Sequence, residues 1–406
     1  MHSQLRLGDH RKEWLAVAVV FGVVLSLYVL VGRWGNDANV DVLAVSAPAW
    51  RLATSQTLES SFMAERSPWI VEDKEGRLVS NRPPGLIAFA TPAYAVTQPD
   101  RFSNAPSTAM AILASMGALA TMHWTLRRIF GWSFSLLVVG VLALGTTTWT
   151  TSAAQLWPHG PGQLAAALAI ASMSANGYLR AGLAFAAGIL IRPITMVFPL
   201  VVGIHTSWTS RSFVPAARVG ATSMLGLMVL LVYNRRLFGA INIRGGYPET
   251  FTTSAIHDYE LADHLANFGD MLFTWPNGLL LFSPIVGVAT IGTLMIWRTI
   301  PSWVRSSAWA ALAYLVVHAA LNRASGGMPI FYRYPLEPLV LATPALAFGI
   351  RSLWETTRSA RLAIGFATLI SVAIHFANAF WTSCLTASPA LLSCQVFGLA
   401  DVWLLP

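Results

Sequence analysis

Charge is what this 406-residue sequence has least of. Asp, Glu, Lys and Arg make up 11% of it, against roughly 25% in soluble domains, which excludes an ordinary water-soluble globule. Lysine is nearly absent, with Lys12 and Lys74 its only representatives, so arginine carries the net charge of +8. On so apolar a chain that charge is a matter of membrane topology before it is one of nucleic-acid binding. Cysteine is limited to Cys384 and Cys394. Among the histidines, His123, His205, His318 and His375 stand singly, without metal-ligand spacing, and read as packing or interfacial residues. No small-residue cleavage site follows the first apolar run, so a retained first helix is expected rather than a removed signal peptide.

Apolar runs fill the space that charge leaves. Taking about 20 apolar residues as one bilayer crossing, the chain reads as an all-α polytopic membrane protein of about 11 transmembrane helices. These are expected near 14–32, 106–126, 132–149, 161–178, 181–192, 194–208, 214–233, 277–297, 306–322, 334–350 and 362–380. The fifth and sixth meet at Arg192-Pro193, where proline disfavours the helical conformation of its predecessor. With the N-terminus inside, the short inner connectors carry arginines and only Asp9, Glu13 and Glu355 as acids, as the positive-inside bias requires. The tail, 381–406, then lies outside. A Cys384–Cys394 bridge there suits an oxidising compartment, two unpaired thiols being the alternative.

The polar residues gather in residues 33–105, the first outer loop. Asp37, Asp41, Glu59, Glu65, Glu72, Asp73, Glu75 and Asp100 stand there beside Arg51, Arg66, Lys74, Arg77, Arg82 and Arg101. Outer segments 150–160, 234–276 and 323–333 can meet it only if the helices bundle around one outward-facing cavity. Ionisable groups so placed are costly unless they serve a site. The whole chain, 1–406, reads as one membrane-embedded domain.

Four stretches carry a family resemblance. Asn36-Asp37 follows the first span and leads into an amphipathic stretch, 42–58, suited to the membrane surface. SNRPPGLIAFATPAYAV (80–96) has a Pro-Pro-Gly entry into a short apolar segment, and TSAAQLWPHGPGQLAAALA (151–169) is a loop after the third span. YNRRLFGAINIRGGY (233–247) and FYRYPLEPLV (331–340) contain a Tyr-Asn-X-X-X-Phe-Gly turn and an Arg-Tyr-X-X-X-Pro segment. In their order and topology these resemble the GT-C glycosyltransferases, the integral-membrane family that includes protein O-mannosyltransferases and aminoarabinose transferases. The resemblance covers nearly the whole chain, although each motif is short. Many bacterial members have Glu directly after the catalytic Asp and a His-Tyr pair soon after; here Ala38, Val40 and Asp41 occupy that stretch.

The resemblance implies inverting transfer of a sugar from a polyprenyl-phosphate donor to an acceptor hydroxyl, at the outer face of a bacterial plasma membrane. Such a displacement needs a carboxylate base and fixed cations for the leaving phosphate. Asp37 is the candidate base, a helix N-cap being its plain alternative. Asp41 and Tyr247 are candidates for binding acceptor or sugar, Asp41 alternatively being a solvated acid. His159, in Trp-Pro-His-Gly-Pro, could orient a sugar hydroxyl or phosphate, or merely cap a helix. Arg82, Arg333 and Arg192 are candidates for the donor phosphate, or else interfacial arginines that snorkel. No cofactor is required, though Asp37 and Asp41 leave a divalent cation open. Partners are the donor, a glycan, lipid or protein acceptor, and membrane lipids, with no nucleic acid. A lipid-linked glycan flippase or transporter, a surface-polysaccharide ligase or polymerase, and a non-catalytic lipid-binding scaffold are the rival readings.

Overall fold

The computed structural model describes residues 7–36, 38–247, 260–275, 277–322 and 332–386. Each of the eleven expected segments is helical. They form α1 (Leu7–Val31), α4 (Ala105–Phe130), α5 (Trp132–Leu144), α6 (His159–Ser174), α7 (Tyr178–Ile191), α8 (Val197–Ser210), α9 (Val214–Phe238), α11 (Leu279–Phe282) with α12 (Pro284–Met295), α13 (Ser302–Leu321), α14 (Leu336–Thr356) and α15 (Arg358–Thr386). The remaining helices are α2 (Val40–Ser55), α3 (Pro84–Thr97) and α10 (Leu261–Phe273). Among the described residues, six helices (α1, α4, α9, α13, α14 and α15) are long and apolar enough to cross a membrane. The eighth expected segment is broken because Ser283-Pro284 starts a new helix with proline in its first turn.

Glycine and proline set most boundaries. Gly131 takes φ +80° between α4 and α5, and Gly239 takes φ +77° at the end of α9, values that cost a residue with a Cβ. Close helix contacts also use glycine. A Cβ on Gly226 would lie 2.3 Å from the Ala186 carbonyl across α7 and α9, and one on Gly349 would lie 2.2 Å from the Ala289 carbonyl across α12 and α14. Such small-residue seams let helices associate where lipid supplies no hydrophobic driving force between them. The outer face of α9 presents Met228, Val229 and Val232, each more than half exposed.

The polar insertion is folded onto the bundle. Val42–Ala49 of α2 are buried, so this helix lies against protein along its first half. Val45 and Ala49 of α2, Leu86, Ile87 and Ala90 of α3, and Ile191 of α7 share one apolar core. Between α2 and α3, strands β1 (Ile70–Glu72) and β2 (Leu78–Ser80) pair antiparallel. Their turn is closed by Asp73, whose Oδ1 accepts from the amides of Glu75 and Arg77 at 2.8 and 2.9 Å. The turn docks on the bundle through the Lys74 amide, which donates to the Leu237 carbonyl at the end of α9 at 2.8 Å. The proposed Cys384–Cys394 bridge lies outside the described side chains.

Candidate active site

The segment after α1 is fastened on both sides of position 37. Asn36 Oδ1 accepts from the Asn104 amide at 2.9 Å, and the Asn39 amide donates to Gln155 Oε1 at 3.1 Å. Asn39 also caps α2, its side chain accepting from the Asp41 amide at 2.9 Å. The capping role that the sequence left open for Asp37 therefore belongs to Asn39. Asp37 itself lies outside the described residues.

Asp41, in the first turn of α2, is the hub of an upper polar group. Its carboxylate is bonded by Arg82 Nη2, and its Oδ2 lies 3.6 Å from Arg333 Nη1. Arg82 also donates from Nη1 to Tyr247 Oη at 2.6 Å. Its guanidinium carbon stands 4.3 Å from the Trp69 ring centroid and 5.5 Å from that of Tyr247. Arg333 is held the same way, 5.0 Å from the ring centroids of Trp157 and Tyr334. Both guanidinium groups are thus fixed on aromatic faces, where cation–π attraction adds to the ion pair. Burial pushes the Tyr247 hydroxyl above its ordinary range, against the pull of Arg82. It stays protonated and accepts from that arginine.

A lower, more deeply buried group lies beneath. Glu337 in the first turn of α14 has no exposed side-chain surface. Its oxygens meet His159 Nδ1 at 3.1 and 3.0 Å and Arg192 Nη1 at 3.0 and 3.2 Å. His159 is the first residue of α6, and Arg192 occupies the extended link (φ −151°) that Pro193 imposes after α7. Around them stand Tyr314 and His318 of α13, with Tyr334.

The structure thus brings Arg82, Asp41, Tyr247 and Arg333 together and sets His159 close below. Arg192 departs from the expected trio of arginines. It pairs with Glu337 rather than Asp41, because a fully buried carboxylate needs a cation close by. Glu337 was not singled out from the sequence, where it counted only as one more outer acid. An acid just inside an apolar run was the available signal. His318, read as a packing or interfacial residue, also belongs to the cluster, as does Tyr314. Among the described residues, no group of three or more His, Cys, Asp or Glu side chains could hold a metal ion.

No protein-family model matches the chain, and no curated protein matches it in sequence. Its fold does have solved counterparts. ArnT from Cupriavidus metallidurans in the apo state matches with a TM-score of 0.57 at 13% identity, over 94% of this chain and 66% of that one. ArnT from the same organism bound to undecaprenyl phosphate matches with a TM-score of 0.54 at 13% identity, over 95% of this chain and 67% of that one. The chain spans about two thirds of the length of these structures. This likeness establishes architecture: the chain is a polytopic, all-α membrane protein with a GT-C-type fold.

Proposed function

We propose that this protein is an inverting glycosyltransferase that moves a sugar from a polyprenyl-phosphate donor to an acceptor hydroxyl. One observation carries the reading. Two arginines, each stacked on aromatic rings, converge on a single carboxylate at the polar end of a fold whose solved counterpart binds undecaprenyl phosphate. Fixed guanidinium groups in a partly desolvated site are suited to a phosphate whose charge grows as it leaves.

In the proposed reaction the acceptor oxygen forms a bond to the anomeric carbon while the bond from that carbon to the phosphate oxygen breaks. The acceptor proton passes to the Asp37 carboxylate, and Arg82 and Arg333 take up the charge on the departing polyprenyl phosphate. His159 and Tyr247 orient hydroxyl groups of sugar or acceptor. A shallow apolar crevice lined by Val138, Leu142, Ile285, Leu339 and Leu346 suits the prenyl chain. It reaches Thr146, beside Thr147, whose hydroxyl donates to the Tyr332 carbonyl next to Arg333 at 2.7 Å. The charge asymmetry of the connectors supports an active site on the outer face of a bacterial plasma membrane.

Sugar transfer by lipid-reconstituted protein tests this, with a panel of labelled polyprenyl-phosphate sugars and envelope extracts as acceptor, wild type beside Asp37→Asn. One donor should turn over, and a folded Asp37→Asn protein should lose nearly all transfer. Donors that bind without turnover, together with a silent Asp37→Asn, would leave a lipid carrier or scaffold instead.

A further inference from the structure

Glu337 could have been neutralised by Arg192 alone. Instead it also meets Nδ1 of His159, and the chain makes room for this contact. A Cβ on Gly162, one turn into α6, would lie 2.9 Å from Glu337 Cγ and 3.1 Å from its Oε1. The hydrogen-bond pattern then fixes the imidazole. Nδ1 lies 3.0–3.1 Å from the carboxylate and 3.2 Å from Arg192 Nη1. If Nδ1 carried a lone pair, that lone pair would face a carboxylate anion at hydrogen-bond distance, with only Arg192 Nη1, already bonded to that carboxylate, to offset the repulsion. If it carries the proton, the carboxylate accepts it. Arg192 Nη1 still has Glu337 as its target, so its approach to Nδ1 is a close contact and not a bond. The proton therefore sits on Nδ1, and Nε2, at the far edge of the ring, holds a lone pair.

That lone pair has no hydrogen-bond partner among the described residues. Nearby, Tyr314 Oη and His318 Nε2 are buried and have no hydrogen-bond partner among the described residues. The rings of Tyr314 and His318 are stacked at 5.9 Å with 7° between planes, and His318 meets Tyr334 at 3.9 Å. Tyr334 in turn lies edge-on to His159 at 6.2 Å. Buried polar atoms left unsatisfied are costly and uncommon, and several around one cluster point to a ligand rich in hydroxyl groups.

We propose that Glu337 is a positioning residue. It holds the proton on Nδ1 of His159 so that Nε2 accepts a hydrogen bond from a hydroxyl of the sugar being transferred or of its acceptor. The proposal rests on the glycosyl-transfer reading for the identity of the hydroxyl, and on geometry alone for the role of Glu337.

Two measurements test it. Long-range proton–nitrogen spectra of histidine-labelled protein in nanodiscs report the tautomer, with the His159 signal assigned from its loss in His159→Gln. Nδ1–H is expected in the wild type, with a shift toward Nε2–H in Glu337→Leu. Nε2–H in the wild type would overturn the proposal, whether or not the Glu337 variant folds. Kinetics then separate the two ring nitrogens. An asparagine amide reaches the place of Nδ1 and can keep the Glu337 bond, whereas a glutamine amide reaches the place of Nε2. His159→Gln should keep transfer within several-fold of wild type, and His159→Asn should lose on the order of tenfold to a hundredfold. A rise in KM for the donor assigns the hydroxyl to the transferred sugar, and one for the acceptor assigns it there. Asparagine outperforming glutamine would show that the histidine only braces Glu337. Absence of transfer in the wild type would defeat the glycosyl-transfer reading, while the tautomer would still decide the role of Glu337.

Discussion

Asp41 stands where a phosphate would have to compete, and this gives a prediction with a definite sign. Its carboxylate is bonded to Arg82 and lies 3.6 Å from Arg333 Nη1. A phosphate taken up by the same two guanidinium groups would come within roughly 5 Å of it. Two unit negative charges at that distance repel by about 3 kcal/mol at an effective dielectric constant of 20. The side chains concerned are between 11% and 21% exposed, so solvent screening reduces the net effect to about half. Asp41→Asn should therefore bind undecaprenyl phosphate about tenfold more tightly than wild type. The gain should shrink as salt is raised, because part of it is screened. Calorimetric titration in detergent would measure both. Weaker binding in Asp41→Asn would refute the reasoning, since it would mean that the carboxylate is needed to hold the arginines in place.

Two further perturbations address the frame around the site. Burial alone would raise the Asp73 carboxyl, but the Arg77 and Glu75 amides and the Arg77 guanidinium outweigh it and hold the group below its ordinary value. A carboxyl depressed in the folded state stabilises above its unfolded value of about 4, and that contribution disappears as pH falls through the folded value. The β1–β2 turn should therefore loosen in acid and expose itself to an acid-active protease; Asp73→Asn should be cleaved to the same extent at every pH, and an unchanged pH dependence in that variant would remove Asp73 as the cause. Gly85→Ala would place a Cβ 2.6 Å from the Leu190 carbonyl carbon and 2.7 Å from its oxygen. Backbone cannot yield there, so α3 must move off α7 at a cost of about 1–3 kcal/mol. The expected result is a lowered Tm with weakened donor binding, because Arg82 lies three residues upstream; an unchanged Tm would show that the contact is slack.

The helices were legible because their cause is local. A run of apolar residues needs no knowledge of its neighbours to be recognised, and the segment expected from 214 starts in the structure at Val214, with Pro215 in its first turn. The placement of Asp41, Arg82, Tyr247 and Arg333 near one another was legible in outline, since topology puts their segments at one end. Their pairing was not. Arg82 meets Tyr247 across 165 positions, and His159 meets Glu337 across 178. No periodicity spans such separations, and a single sequence gives no sign of which cation answers which anion. The same limit explains why α2 read as a membrane-surface helix. Its Val42–Ala49 face is covered by segments distant in the chain.

The arginines show what that missing information decides. By sequence, Arg82, Arg192 and Arg333 are all candidates for one phosphate. In the structure they differ in their counter-ions. Glu337 answers Arg192 with one full charge, and the remaining partner of that carboxylate is an imidazole with a single ring proton, so the lower group is neutral. In the upper group one carboxylate, Asp41, is shared between two guanidinium ions, whereas Glu337 is committed to Arg192. On the proposed reading the phosphate engages Arg82 and Arg333 rather than Arg192, whose guanidinium is held by Glu337 at 3.0 Å. The lower group, with its charge already balanced, can instead bind uncharged hydroxyl groups. The proposed division of labour between phosphate and sugar follows from where these two carboxylates were placed.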